Sequence, residues 1–217
     1  MTRTGRAAAW IAEALSTGNP LADLPPEIAP RGRAEGERVA LLALQSLGIA
    51  PCGIRVVGGV AGPMIEGRLL PDGATAAPLR HSLWTAALIG VLDRPLEPDD
   101  DAPPVLAALH PALDAADHRF TQAPASVALR TADLGGLGFV VAGARLAPPP
   151  EALAISTTRV TVADALAPAA AAARRMGGLP AGALLIVAGL SAPLAADGNG
   201  HIAIDFGGMG KVTARLG

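Results

Sequence analysis

From residue 53 onwards the chain is cut into short apolar runs, and this punctuation constrains the fold more than any other feature of the sequence. Ile54-Arg55-Val56-Val57 stops at Gly58-Gly59, the run 138–142 stops at Gly143, and the run 183–188 stops at Gly189. With 26 glycines and 20 prolines among 217 residues, few segments can carry a long helix. Proline removes a backbone donor, and a glycine inside a helix costs about 1 kcal/mol. Apolar runs of this length between turn residues read as short strands separated by turns, with 183–188 a buried one. Strands are therefore expected at 54–57, 69–70, 138–142, 158–162 and 183–188. A terminal hairpin is expected from 202–206 and 211–216 across Gly207-Gly208-Met209-Gly210. Residues 82–92 suit either a helix, by their Ala, Leu and Trp content, or a buried strand.

The first fifty residues have a different texture. Residues 5–16 read as a helix with Trp10, Ile11, Ala14 and Leu15 on one side and Gly18-Asn19-Pro20 as its stop. A proline-rich connector, 21–33, leads to a second helix over 34–47, with Val39, Leu42, Leu44 and Leu47 apolar and Gly48 as its breaker. A later helix is expected over 163–175, with Pro168 in its first turn or at a kink. The acidic stretch Asp99-Asp100-Asp101 reads as the charge complement of a helix at about 104–109, continuing through 111–117. This order gives an α+β fold in one domain over 1–217, a helical cap (1–50) on a β-rich body (51–217).

Charge and composition exclude several functions. The net charge is −2, 51% of residues are hydrophobic and 17% are charged, which is a folding rather than a disordered composition. No Lys/Arg-rich tract exists, so neither nucleic acid nor an anionic membrane is an expected partner. Glu13 interrupts any signal-peptide core after Arg3 and Arg6. The uncharged run 176–196 is broken by Pro180, Gly182, Gly189 and Pro193, so it reads as turn, strand and loop rather than as a membrane span. A cytoplasmic location is the expectation. Cys52 is the lone cysteine and reads as a semi-buried small hydrophobe. There is no tyrosine, and Lys211 is the one lysine, so Schiff-base chemistry has only Lys211 or the N-terminus. None of the glycine clusters has phosphate-loop spacing, and Gly189-Leu190-Ser191-Ala192 lacks the second glycine of a nucleophile elbow.

The titratable residues gather at His110, Asp114, Asp117, His118 and Arg119. On a helix, Asp114 would follow His110 by one turn and share a face with Asp117. Such a patch either binds a metal or anionic ligand, or is a solvated helix face. His81 and His201 read as surface residues.

Several of these segments, in this order, resemble the 2-keto-4-pentenoate hydratase / 2-oxo-acid decarboxylase branch of the fumarylacetoacetate hydrolase family. The likeness is carried by Gly53-Ile54-Arg55-Val56-Val57-Gly58, by Gly62-Pro63 with Gly67-Arg68-Leu69-Leu70, and by the run 88–96. It continues through His110-Pro111-Ala112-Leu113-Asp114, Asp117-His118-Arg119, Ala132-Asp133, Leu179-Pro180-Ala181-Gly182 and the final hairpin. The resemblance implies a mixed β-sheet roll under a helical cap, and Mg²⁺ or Mn²⁺ held by three carboxylates to chelate a 2-oxo acid. It also implies a place in aromatic catabolism. The metal positions fall on Thr85, Ala87 and Asp114, of which only Asp114 is acidic, and this argues against the metal. The strand lysine is Arg55, the loop aspartate falls on Ala61 or Gly62, the asparagine after Asp133 is Leu134, and the second helix lacks the family's Tyr-x-x-Gln. The implied function is a hydratase-like lyase on a small 2-oxo or 2-hydroxydienoic acid. Asp114 and Asp117 would act as acid/base groups, with Arg55, Arg119 and Asp133 binding the substrate. The alternative is a non-catalytic homologue that partners or regulates an active hydratase or decarboxylase. A small carboxylate ligand, and a homo-oligomer or a complex with a family paralogue, complete these expectations.

Overall fold

The computed structural model describes residues 1–155 and 158–217. Helices α1 (Arg3–Thr17) and α2 (Arg33–Ser46) come first, followed by strands β1 (Gly53–Val57), β2 (Val60–Met64), β3 (Leu69–Pro71), β4 (Thr75–Ala76), β5 (Leu83–Leu92) and β6 (Leu106–Ala116). Helix α3 (Val127–Ala132), β7 (Leu137–Ala142), β8 (Ala152–Ile155), β9 (Thr158–Thr161) and α4 (Val162–Arg175) follow. The chain ends with β10 (Leu184–Ala188), β11 (His201–Asp205) and β12 (Lys211–Leu216). Seven strands form a mixed sheet in the order β2-β1-β10-β5-β6-β7-β3, and a smaller sheet has the order β11-β12-β4. The α+β expectation holds.

The main sheet curls. In register, Arg55 of β1 is level with Ile186, Ile89 and His110. Its side chain nevertheless meets Asp114, four residues further along β6. A flat sheet would hold β1 and β6 about 14 Å apart with side chains standing parallel. Curling with a stagger brings them together, as closure of a sheet requires. Leu134, Gly135 and Gly136 turn the chain back towards β2 with three successive positive φ values (53°, 64° and 70°). A β-carbon on Gly62 of β2 would lie 2.1 Å from the Leu134 carbonyl oxygen. That position admits glycine alone.

Side-chain alternation then sorts the core. Ile54, Val56, Leu88, Leu113, Val141, Leu185 and Val187 point to one face, where Leu166, Ala169 and Ala173 of α4 and Ile204 and Val212 of the small sheet cover them. On the concave face Ala87, Ile89, Ala112, Val140 and Ile186 join Ile11, Val39 and Leu44 of the first two helices. Thr2 caps α1 by accepting the Gly5 N–H, and Gly18 closes it at φ 72°.

Four expectations are corrected. Residues 104–109 and 111–117 are not helical, because they belong to β6, which is buried between β5 and β7. A strand covered on both faces is apolar throughout and loses the alternation that would distinguish it from a buried helix. Pro111 survives there because β7 pairing ends at Ala112–Ala142, and the Gly143 carbonyl beyond it accepts from His110 Nδ1 at 3.0 Å instead. Accordingly Asp99, Asp100 and Asp101 precede no helix. Ala61 and Gly62, which the family resemblance places in a loop, lie with Pro63 in the edge strand β2, where a proline is tolerated. Trp10 is 42% exposed although Ile11 beside it is fully buried, since the buried stripe of α1 runs through Ala7, Ala8, Ile11, Ala12 and Ala14. Pro168 lies inside α4, beyond its first turn. The ambiguous segment 82–92 is β5, and the uncharged run 176–196 contains β10, inside the main sheet. Among the described residues no helix is long and apolar enough to cross a membrane.

Candidate functional site

The concave face carries the buried polar groups. Arg55, Thr85, Asp114, Thr131 and Asp133 are the buried polar or charged residues among those described, and the first three project from this face of β1, β5 and β6. Arg55 and Asp114 are both fully buried. Arg55 Nε donates to Asp114 Oδ1 at 2.5 Å and Nη2 to Oδ2 at 2.6 Å, while Nη1 donates to the Gly135 carbonyl at 2.9 Å. The planar fork of arginine matches a carboxylate in this bidentate geometry, which lysine cannot reproduce. Thr85 stands directly opposite Asp114 on β5, and its hydroxyl accepts the Gly189 N–H at 3.0 Å.

A second Arg–Asp pair lies nearby. Arg119 Nε donates to Asp133 Oδ1, and its Nη1 and Nη2 donate to the carbonyls of Leu137 and Asp133, both at 2.6 Å. The Asp133 side chain is 1% exposed, so burial pushes its carboxyl up while the Arg119 guanidinium pulls it down; burial prevails. Arg119 ties the segment after β6 to the end of α3, and so fixes the turn through Leu134 and Gly135 that Arg55 contacts.

Above the first pair lies a cleft of about 410 Å³. Val57, Leu83 and Ala116, each two residues from Arg55, Thr85 and Asp114 and therefore on the same face, form its floor. Its charged and titratable lining is His81, Asp117, His118, Arg130 and Asp133. The imidazoles of His81 and His118 stack with centroids 4.1 Å apart, and His118 Nδ1 donates to the Phe120 carbonyl at 2.8 Å, which leaves Nε2 as the free nitrogen. Asp117 accepts the backbone N–H of His81 at 2.9 Å and that of Arg80 at 3.4 Å. His110 is not part of this group, since its ring turns to Gly143. Of the sequence-selected residues, Asp117 and Asp133 line the cleft, Arg55 and Asp114 lie beneath it, and Arg119 braces its wall. Arg130 was not singled out by the sequence. Although His118 was among the titratable residues selected, its stacking on His81 was not expected, because the two are 37 positions apart and meet only through the curl.

The residues at the positions implied for a divalent cation do not suit one. Thr85 and Ala87 offer no carboxylate, and both oxygens of Asp114 already accept from a guanidinium. A hard cation takes about six or more oxygens, with at least one or two free carboxylates among them, and these positions leave none. Among the described residues no group of three or more His, Cys, Asp or Glu side chains is arranged to hold a metal.

No protein-family model matches the sequence, and no curated protein matches it either. Solved structures do match. The 4-oxalocrotonate decarboxylase of Pseudomonas putida G7, complexed with magnesium and adipate, superposes with a TM-score of 0.76 at 16% identity, covering 100% of this chain and 98% of that one. The same enzyme complexed with calcium and acetate gives 0.73 at 17% identity over the same shares. The fold is that of the fumarylacetoacetate hydrolase family. Every element of the chain, the first two helices included, falls within the matched length.

Proposed function

We propose that this chain is a divergent, hydratase-like member of the fumarylacetoacetate hydrolase family in which an internal ion pair has taken the place of the metal centre. Its cleft binds a small carboxylate, and it acts as a non-catalytic homologue, partner or regulator of an active hydratase or decarboxylase. The observation that carries this reading is the bidentate Arg55–Asp114 pair, fully buried beneath the cleft. An arginine beside an aspartate supplies a fixed positive charge but no open coordination position to polarise a 2-oxo acid. The departures from the family pattern also converge. Arg55, Thr85, Ala87 and Asp114 share one face, and Gly62 approaches Leu134 backbone to backbone. Changes clustered in this way are expected if the site was refitted as a unit.

In this reading Arg55, Asp114, Arg119 and Asp133 are positioning residues. Arg130 is the guanidinium that lines the cleft, and it anchors the ligand carboxylate, with Val57, Leu83 and Pro124 around an apolar body. Asp117 and the His118 Nε2 are the groups placed to move a proton, and they are what a hydratase-like lyase would use. The purified chain is titrated calorimetrically with Mg²⁺ and Mn²⁺, and assayed for turnover of 2-hydroxypenta-2,4-dienoate analogues with and without them. The expected result is carboxylate binding that neither metal strengthens, with no turnover. Metal-dependent turnover would overturn the reading. Metal-independent turnover abolished by Asp117→Asn would establish the lyase instead.

A further inference from the structure

A smaller cavity of about 180 Å³ lies behind the cleft, with Asp117 and His118 as the shared wall. Its other polar lining is Asn19 from beyond α1, Arg68, Arg80 and Arg119. Arg68 ends the single helical turn that precedes β3 and is half-buried. Its guanidinium carbon lies 4.9 Å from the centre of the Phe139 ring, which holds the group in place by a cation–π contact. Among the described residues nothing accepts a hydrogen bond from this guanidinium or pairs with it.

The neighbours make this unusual. Arg55 and Arg119 are each bound to an aspartate and to main-chain carbonyls. Asp117, the carboxylate nearest Arg68 along this wall, is turned to the N–H groups of Arg80 and His81. The Arg68 donors are therefore open to a ligand while the flat face of the group rests on Phe139. Burial first, and the charge of Arg119 second, lower its pKa, with Asp117 opposing them. Three arginines and one histidine therefore face the cavity against Asp117, with Asp133 already engaged by Arg119.

We propose that this cavity is a second ligand site, distinct from the cleft, in which Arg68 receives the carboxylate of a small organic acid, with Arg80 and His118 beside it. The fork of Arg68 matches a planar carboxylate bidentately. The apolar lining of Leu15, Pro20, Leu79 and Leu137 suits the hydrocarbon body of an organic acid better than it suits inorganic phosphate. The proposal does not depend on how the cleft is used.

The test follows the Arg68 Nε–H resonance in proton–nitrogen spectra of the full chain during titration with propionate, then with inorganic phosphate. The expected result is a saturable shift with propionate, at least tenfold weaker with phosphate, that persists in Arg130→Gln and weakens several-fold in Arg80→Gln. Arg80 is exposed, so that second variant leaves the core intact. An Arg68 resonance unmoved by propionate, or one whose shift vanishes in Arg130→Gln, would overturn the second site. A tighter response to phosphate would overturn the carboxylate assignment.

Discussion

The two faces of the main sheet are built by opposite means. The face under α4 and the small sheet is closed by aliphatic side chains, with Leu88, Leu113, Val141 and Leu185 at 0% exposure, and it contains none of the five buried polar residues. The concave face buries comparable aliphatic groups, but holds Arg55, Thr85 and Asp114 among them. Apolar burial alone suffices to stabilise a sheet face, at roughly 25 cal/mol per Å². A buried ion pair often stabilises no more than a well-packed aliphatic pair would. The concave face therefore carries charges that apolar burial does not require, and in the function proposed above they take the place of a metal centre.

The largest effect should come from separating the pair. Asp114→Ala leaves the Arg55 guanidinium buried without its counterion and is expected to destabilise the chain by about 3–5 kcal/mol in chemical denaturation. The double variant Arg55→Met/Asp114→Leu should recover most of that loss. If Asp114→Ala costs less than about 1 kcal/mol, the pair is not the buried contact described.

The closure of the curl is the next point to break. A β-carbon at Gly62 would sit 2.1 Å from the Leu134 oxygen and 2.6 Å from the Gly135 nitrogen, both backbone atoms that cannot swing aside. Gly62→Ala should cost about 1–3 kcal/mol. It should also perturb carboxylate binding in the cleft, because the displaced Gly135 carbonyl is an acceptor of Arg55. On the apolar face, by contrast, Ile54→Val at 2% exposure should cost about 0.5–1.5 kcal/mol and leave ligand titrations unchanged. Equal effects of the two variants on binding would erase the distinction between the faces.

How far the sequence reveals this division depends on the range of the interactions. The helices 5–16, 34–47 and 163–175 and the strands ending at Gly58, Gly143 and Gly189 were legible, because caps and breakers act within a few residues. The strand 106–116 was not, since burial on both faces removes the period that identifies a strand, and His110-Pro111 hides a side-chain substitute for a missing backbone donor. Arg55 and Asp114 were legible as unusual residues, through a family resemblance. That they contact each other was not, because 59 positions and a curled, staggered sheet separate them. Arg68 enters the sequence reading only within the family-like segment Gly67-Arg68-Leu69-Leu70, and only its surroundings in three dimensions set it apart.

The smallest expected effect is kinetic and tests how tightly the concave side is shut where α2 meets β2. Cys52 sits half-buried before β1, and its thiol lies 3.5 Å from the Met64 carbonyl. Burial pushes the thiol pKa up, and Glu66 adds to the shift. Because the thiolate is the nucleophile, a higher pKa means less reactive sulfur at any pH below it. Alkylation by iodoacetamide at pH 8 should be several-fold slower in the native chain than in urea, and the pH at which the native rate rises should lie above that of a free cysteine. Gly62→Ala, which strains the strand paired with β1, should bring the native rate towards the unfolded one, whereas Ile54→Val should leave it unchanged. A native rate equal to the rate in urea would mean that this edge of the concave side is open to solvent.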